Sequence, residues 1–184
     1  MSRVPLSWCV IVLTFAGVAF WLLAVGRPAL CPCGTPRLWG GDLASPESSQ
    51  QLSDWLTLFP FLRGLLTYWV LSPTRRMAFS WRLAFAILFA GLWEVAENSA
   101  TALELYLPWQ LAPEQAGDSV INALGDMLAL GIGFWLAAQL PVKASIGLFL
   151  AVEILLLWVI RDSLMLRALM WAYPLAVLRD WQAG

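Results

Sequence analysis

The stretch "LSWCVIVLTFAGVAFWLLAV", residues 6–25, contains no charged side chain. An α-helix needs roughly 20 mainly apolar residues to cross the hydrocarbon core of a bilayer. The run is longer than the apolar core of a signal peptide, and no A-x-A cleavage site follows it. We therefore expect residues 6–25 to be a retained membrane helix.

The composition extends this expectation to the whole chain. Hydrophobic residues make up 60% and charged residues 12%, whereas soluble domains have about 45–50% apolar and about 25% charged residues. The 12 tryptophans also fit a membrane protein, because Trp is favoured at the interface between lipid and water. A net charge of −1 argues against a nucleic-acid partner. The sequence predicts one all-α domain, a bundle with five to six transmembrane helices.

The helices are expected where apolar runs lie between Pro, Gly and charged residues. The predicted membrane helices are residues 6–25, 55–72, 83–107, 118–140 and 145–160. Residues 164–179 form a further short segment that spans, re-enters or lies at the membrane surface. Residues 27–53 are rich in Pro, Gly and Ser, a composition typical of a loop.

Basic residues predict the orientation, because Lys and Arg are enriched in cytoplasmic loops. One side of the predicted bundle carries Arg3, Arg75, Arg76, Arg82 and Lys143. The other side carries Asp42, Glu47, Asp54 and Glu114, with only Arg27 and Arg37 as cations. We therefore expect a cytoplasmic N-terminus and an exported loop at residues 27–53.

Histidine and cysteine usage restricts the chemistry. The chain has no histidine, which excludes an imidazole base and His-ligated zinc or haem. Cys9 lies in the first apolar run, and Cys31 and Cys33 lie in "CPCG" within the loop. If this loop faces an oxidising compartment, we expect a disulfide, within the chain or to a partner. Two cysteines are too few for a structural zinc site, so no metal and no cofactor are predicted.

Polar residues inside the predicted helices fall at a common depth, since each residue of a helix rises about 1.5 Å. Glu94, Glu97 and Asn98 share one face of their helix, and Asp118, Asn122 and Asp126 share one face of the next. Charges facing lipid cost roughly 2.5–3.5 kcal/mol each on insertion scales, so these side chains should turn inward. The predicted polar pocket, open to the exported side, comprises Arg63, Glu94, Glu97, Asn98, Asp118, Asn122, Asp126, Arg161 and Asp162.

Arg63 is predicted to pair with Glu94 or Asp126 in this pocket. Intramembrane ionisable residues are functional by default. One arginine among several acids also fits a salt-bridge cluster that only fixes helix packing. Both interpretations remain open from the sequence.

Motifs along most of the chain resemble those of an uncharacterised family of small bacterial integral membrane proteins. The family pattern runs CxCG, LWHG, SQHxxDW, SHxxHG, WExxEN, GDSxxNSxxD, LP, RDN and WQ. This chain reads "CPCG" at 31, "LWGG" at 38, "SQQLSDW" at 49, "FPFLRG" at 59, "WEVAEN" at 93, "GDSVINALGD" at 117, "LP" at 140, "RDS" at 161 and "WQ" at 181. The acidic and amide elements also resemble the VanZ-like group weakly. The resemblance implies the bacterial cytoplasmic membrane as the location.

The chain departs from that pattern at every histidine. Gly40, Gln51, Pro60 and Arg63 stand at those positions. Histidines beside carboxylates suggest metal-dependent enzymes in the family, acting on a lipid headgroup or a lipid-linked substrate. Because Arg63 stays protonated, it can compensate buried acids but cannot serve as a ligand or a base. The resemblance therefore implies an enzyme-like family and, here, a variant without its nitrogen ligands.

Three functions follow from these observations. The first is a non-catalytic accessory or structural subunit of a larger membrane complex of respiratory or photosynthetic type, in contact with lipids and other subunits. The second is a membrane-embedded enzyme for lipid or lipid-linked substrates. Its catalytic groups would be Glu94, Glu97, Asp118 and Asp126, the two aspartates beside an oxygen-ligated Mg²⁺ or Ca²⁺. The third is a small transporter or proton relay that uses the same acids.

Overall fold

The computed structural model describes residues 5–42, 45–106 and 117–183. These residues form eight α-helices, and a short 3-10 turn at Ser72–Thr74 follows the second of them. The helices are α1 Leu6–Ala24, α2 Leu58–Val70, α3 Phe79–Glu97, α4 Ala100–Tyr106, α5 Val120–Gln139, α6 Val142–Ile160, α7 Leu164–Ala172 and α8 Ala176–Ala183. The predicted all-α class is confirmed, because the described residues hold no strand beyond an isolated bridge between Gly40 and Asp54.

Four helices, α1, α3, α5 and α6, are long and apolar enough to cross a membrane. Helix α2 is also apolar but has only 13 residues. Large apolar side chains on the outside of the bundle, such as Phe20, Leu150 and Trp158, suit contact with lipid. The protein is accordingly a helical membrane protein.

The helix predicted at residues 83–107 is two helices. Helix α3 begins earlier, at Phe79, and ends at Glu97, and α4 starts at Ala100. Asn98 lies at the break, where its side-chain amide donates to the Glu94 carbonyl and to the Asp118 carboxylate. This long-range bond to Asp118 ends α3 where apolar periodicity alone would continue it. The predicted end at residue 107, like Arg3 and Glu114, lies outside the described residues.

Smaller differences follow from capping residues. Helix α6 begins at Val142 rather than 145, because Pro141 fits the position before a first helical turn. Helix α2 is shorter than the predicted 55–72, because Asp54 and Thr57 hold the preceding backbone in turns. The segment predicted at 164–179 is the two helices α7 and α8, of 9 and 8 residues. Each is far shorter than the roughly 20 residues of a span. Of the three predicted positions, the re-entrant and the interfacial ones are therefore left for α7 and α8.

Helices α2 and α5 form the most extensive helix pair. Glycines allow their backbones to touch: a Cβ atom on Gly64 would lie 2.1 Å from the Leu130 carbonyl oxygen, and one on Gly133 would lie 2.1 Å from the Phe61 carbonyl oxygen. Small residues permit such close approach in membrane bundles, where packing rather than water drives association. This contact sets the distance between the faces that carry Arg63 and Asp126.

The other long helices pack around this pair. Helix α1 lies against α3, where Gly91 leaves room for the methyl groups of Thr14 and Val18. One apolar cluster joins α1, α3 and α5 around Leu22 and Met127. A second joins α2 and α6 around Leu62 and Leu156. Arg63 of α2, Glu97 of α3 and Asp126 of α5 line a common polar cavity.

Gly64→Ala and Gly133→Ala are predicted to destabilise the protein by about 1–3 kcal/mol each, because the added methyl group must displace backbone atoms. The measurement is the thermal unfolding midpoint in detergent. Gly147→Ala in α6 is the matched control, since a Cβ atom there would meet nothing within 4 Å. Equal midpoints for Gly64→Ala and Gly147→Ala would contradict the close α2–α5 contact.

Candidate functional site

A small polar cavity lies where α2, α3 and α5 meet the loop before α2. Its volume is about 30 Å³, and roughly 10–15 Å³ of such space is enough to hold one water molecule. The cavity therefore suits a water molecule or a single small ion. Its lining residues are Ser49, Leu56, Phe59, Pro60, Arg63, Glu97, Asp118, Asp126 and Arg167.

The structure brings part of the predicted pocket to this cavity. Arg63, Glu97, Asp118 and Asp126 line it directly. Glu94 is 3% exposed and lies one helical turn from Glu97 on the same helix. Residues of α2, α3 and α5 thus lie together at this cavity, whereas their role as a functional pocket stays a prediction.

Four other predicted pocket residues do not line the cavity. Asn98 and Asn122 are buried and hold neighbouring backbone. Arg161 is exposed, with a left-handed backbone φ of 52° at the end of α6, and donates to the Trp181 carbonyl. Asp162 accepts from Arg167 instead. The number of residues along the helices predicts Arg161 and Asp162 at the depth of the cavity. The chain turns after α6, however, and carries both residues toward the C-terminal helices.

The predicted ion pair of Arg63 with Glu94 or Asp126 is not formed. The ion pairs of the described residues are Arg37–Glu47 and Arg167–Asp162. The Arg63 guanidinium lies over the Trp93 ring, with Cζ 4.2 Å from the ring centroid. A flat guanidinium stacks favourably on an aromatic face, so Arg63 acts on the acids through space and not by direct contact.

Two buried carboxyl groups lack partners for one oxygen each. Glu94 Oε2 and Asp126 Oδ1 are buried and accept no hydrogen bond from the described residues, and the Arg63 Nε donor is likewise unsatisfied. Glu94 and Asp126 repel each other electrostatically, while Arg63 attracts both. Burial of an unpaired carboxylate oxygen is unfavourable, so this arrangement favours a proton, a water or a cation beside these oxygens.

Asp118 connects the end of α3 to the start of α5. Its carboxylate accepts from Asn98 Nδ2 at 2.8 Å, and its backbone N–H donates to Asn98 Oδ1 at 2.8 Å. Burial, and then the charge of Glu97, raises the pKa of Asp118 from 3.8 to about 7, against the hydrogen bonds from Asn98 and Ser49 that lower it. Asp118 is therefore a carboxyl group that exchanges its proton near neutral pH.

The loop before α2 covers the cavity through bonds to the start of α5. Asn122 Nδ2 donates to the Gln51 carbonyl at 2.8 Å, and Ser119 Oγ donates to the Gln50 carbonyl at 3.0 Å. The Gln50 amide in turn donates to the Gly117 carbonyl at 3.0 Å. These three bonds hold the loop over the polar face of α5.

Asp54, predicted only as an acidic residue of the exported side, organises this loop from within. Its carboxylate accepts backbone N–H groups of Ser49, Leu56 and Thr57 at 2.7–3.2 Å. Burial raises the pKa of Asp54, and these three hydrogen bonds oppose that rise. The order Ser-Asp before an apolar run is a helix-start signal, and Asp54 fixes the turn that leads into α2.

Two further residues were missed because each acts across a long sequence distance. Arg167 lines the cavity, stacks on Phe59 with Cζ 4.1 Å from the ring centroid, and donates to Asp162 at 2.7 Å. Glu153, a single acid in apolar α6, accepts the backbone N–H groups of Leu164 and Met165 at 3.0 and 3.1 Å. A lone carboxylate inside an apolar span was the available signal for Glu153.

The raised pKa of Asp118 predicts a pH dependence. The folded state keeps this proton where the unfolded state releases it, so stability from this group is present below pH 3.8 and lost as pH rises to about 7. At pH 8, Asp118→Asn should therefore have a higher unfolding midpoint than the parent. Its unfolding midpoint should also differ less between pH 5 and pH 8 than that of the parent does. Thermal unfolding in detergent at both pH values measures it. Asp180→Asn, at an exposed carboxylate, is the control, and identical pH profiles for the two variants would contradict the assignment.

Comparison with known proteins identifies the family. A model described as "Protein of unknown function (DUF2585)" matches residues 22–184. The chain is 44% identical over 169 residues to a UPF0314 protein of Paracoccus denitrificans, covering 90% of this chain and 86% of that protein. It is 40% identical over 186 residues to a UPF0314 protein of Brucella anthropi, covering 100% and 93%. No solved structure matches. The chain thus belongs to the DUF2585 family, which confirms its resemblance to a bacterial family of unknown function.

Proposed function

We propose that this protein is a non-catalytic structural or accessory subunit of a larger membrane complex, of respiratory or photosynthetic type. The observation that carries the proposal is the size of the polar cavity, about 30 Å³. Ligand pockets for small molecules have volumes of about 300–1,000 Å³. The cavity lined by Arg63 and Arg167 is far smaller than such pockets, which favours a structural role over the binding of an organic substrate.

The charge arrangement supports a structural role for the same residues. Arg63 is attracted by Glu97, Glu94 and Asp126, which belong to two different helices. A fixed cation between acids holds α2, α3 and α5 together without needing an exchangeable metal. The same position would disfavour a catalytic divalent cation, because the guanidinium already carries the compensating charge.

The outer surface supplies room for partner subunits as well as lipid. In α1 and α6, only 22% of the residues in each spanning window are buried within the chain. Trp158 on α6 and Trp171 on α7 are 82% and 90% exposed. Large exposed aromatic side chains are favoured at protein interfaces and at the membrane boundary, so these helices are the candidate contact surfaces.

A second candidate is a membrane-embedded enzyme, and one observation favours it. Glu94 Oε2 and Asp126 Oδ1 are buried without a hydrogen-bond partner. Asp126 lines the ion-sized cavity together with Glu97 and Asp118, and carboxylate oxygens are suitable ligands for Mg²⁺ or Ca²⁺. Under this alternative, Glu94 or Glu97 would exchange protons with a lipid-linked substrate, and Asp118 and Asp126 would lie beside the ion.

Arg63→Leu is predicted to lower the unfolding midpoint and to release partner subunits, because it removes the cation that attracts Glu97, Glu94 and Asp126 and leaves buried acids uncompensated. Arg63→Leu combined with Glu94→Leu should recover part of that loss, since it also removes one of the acids that Arg63 compensates. The measurements are thermal unfolding and co-purification in mild detergent.

Arg75→Leu, at an exposed arginine in the loop after α2, is the matched control. A parent protein that purifies with stoichiometric subunits supports the accessory role. A lone monomer that binds Mg²⁺ or Ca²⁺ and loses it in Asp126→Asn would favour the enzyme. If Arg63→Leu matches Arg75→Leu in stability and partner retention, the structural role of Arg63 fails.

We also propose that the N-terminus is cytoplasmic and that the loop at residues 27–53 faces the exported side of the bacterial cytoplasmic membrane. Arg75 and Arg76 would then lie in the cytoplasm. In a Cys9→Ser background, a membrane-impermeant maleimide should label the exposed Cys33 in intact cells after mild reduction. Labelling confined to inside-out vesicles would reverse this orientation.

A further inference from the structure

The "CPCG" turn lies beside a carboxylate that the sequence does not connect with it. One ligand atom each from Cys31, Cys33 and Glu47 lies within 4.8 Å of the others. Cys31 is 6% exposed and Cys33 is exposed, and a disulfide joins them. Two sulfurs and a carboxylate oxygen are three of the four ligands of a tetrahedral zinc site.

We propose that this chain carries a redox-gated site for a thiophilic divalent cation such as Zn²⁺. Cys31, Cys33 and Glu47 form this site when the disulfide is reduced. The fourth position is open on the exposed Cys33 side to water or to an external ligand. The site lies in the loop before α2 and does not depend on the polar cavity. It revises the expectation that the cysteines are too few for a metal, because the fold adds Glu47.

The turn itself presents both sulfurs to one side. The Gly34 N–H donates to the Cys31 carbonyl at 3.2 Å, which closes a four-residue turn with Pro32 at its second position, where the fixed φ of proline is favoured. Gly34 has a φ of 77°, a conformation that glycine adopts without strain. Because a backbone hydrogen bond closes the turn and Gln51 contacts both Cys33 and Glu47, we expect the reduced cysteines to stay near Glu47.

Gln51 and Arg37 orient the carboxylate. The buried Gln51 side chain donates to Glu47 Oε2 at 3.1 Å and to Cys33 Sγ at 3.4 Å, and it accepts from the Arg37 N–H at 2.6 Å. The Arg37 guanidinium lies 3.3 Å from the same Glu47 oxygen. Both contacts use Oε2, so among the contacts of the described residues Glu47 Oε1 is left for a metal. Outer groups of this kind orient ligands in known metal sites.

The charges balance in the metal-bound form. Two thiolates and one carboxylate carry three negative charges, Zn²⁺ brings two positive charges, and Arg37 supplies the third. The Gln51 amide also donates toward the Cys33 sulfur, a contact that favours a thiolate. Thiolate ligands select zinc-like cations over Mg²⁺ or Ca²⁺.

Reduction opens the site. A dithiol reductant gives two electrons and two protons to the Cys31–Cys33 disulfide and leaves as its own disulfide, so two thiols form. Zn²⁺ then binds both sulfurs, and their two protons pass to the solvent. An exchangeable external disulfide reverses the step: it accepts two electrons from the two thiolates and two protons from the solvent, leaves as two thiols, restores the Cys31–Cys33 disulfide and so releases the ion.

The test uses the full chain in detergent, in a Cys9→Ser background. It is reduced with dithiothreitol and desalted under anaerobic conditions, and Zn²⁺ is titrated in competition with a chromophoric chelator. We expect one Zn²⁺ per reduced chain and none per oxidised chain. Cys33→Ser should abolish stoichiometric binding, and Glu47→Gln should weaken it at least tenfold. Asp180→Asn, which removes an exposed charge elsewhere, should leave it unchanged.

Three results would overturn the proposal: no stoichiometric Zn²⁺ in the reduced parent, equal binding by the oxidised parent, or the same affinity in Glu47→Gln and Asp180→Asn. X-ray absorption at the zinc edge of the reduced parent is a second test of the zinc ligands. Its result does not depend on whether Glu47→Gln folds. A shell with two sulfurs and lighter atoms supports the site, and a shell without sulfur refutes it.

Discussion

The backbone contact between α2 and α5 is the constraint on which the rest of the structure depends. Gly64 and Gly133 let the two helices approach until a Cβ atom at either position would overlap a carbonyl oxygen. The same approach brings Arg63 on α2 opposite Asp126 on α5, and α3 completes the cluster with Glu94 and Glu97. In a bilayer, packing rather than the exclusion of water drives helix association, so close packing decides which polar groups share an interior.

The charges in that interior are compensated without being paired. Arg63 stacks on Trp93 and attracts three acids at longer range, whereas a direct ion pair would satisfy one acid and leave the others repelling each other. Such sharing suits a group that cannot lose its proton. It also leaves buried oxygens of Glu94 and Asp126 unsatisfied. The structural and the enzymatic interpretations of the cavity differ in how they account for these unsatisfied oxygens.

The loop before α2 has two roles. Its hydrogen bonds to Ser119 and Asn122 hold it over the polar end of α5, and Asp54 fixes its turn by accepting three backbone N–H groups. Its outer part carries the Cys31–Cys33 turn beside Glu47. Gln51 belongs to both parts, because its backbone carbonyl bonds to Asn122 and its side chain contacts Cys33 and Glu47. Gln51 thus contacts both the cysteine turn and the part of the loop that covers the cavity.

The sequence by itself determined the membrane class, the all-α fold and the faces of α3 and α5 that carry acids, because hydropathy and helical periodicity act within one segment. Only the tertiary structure decided that Arg63 stacks on Trp93, that Arg167 reaches the cavity, that Arg161 and Asp162 do not, and that Glu47 meets the two cysteines. Each of these depends on contacts between residues far apart in the chain or on how a loop turns. Periodicity gives the direction of a side chain around its own helix axis, whereas helix crossing and loop closure determine which side chain from another segment it meets.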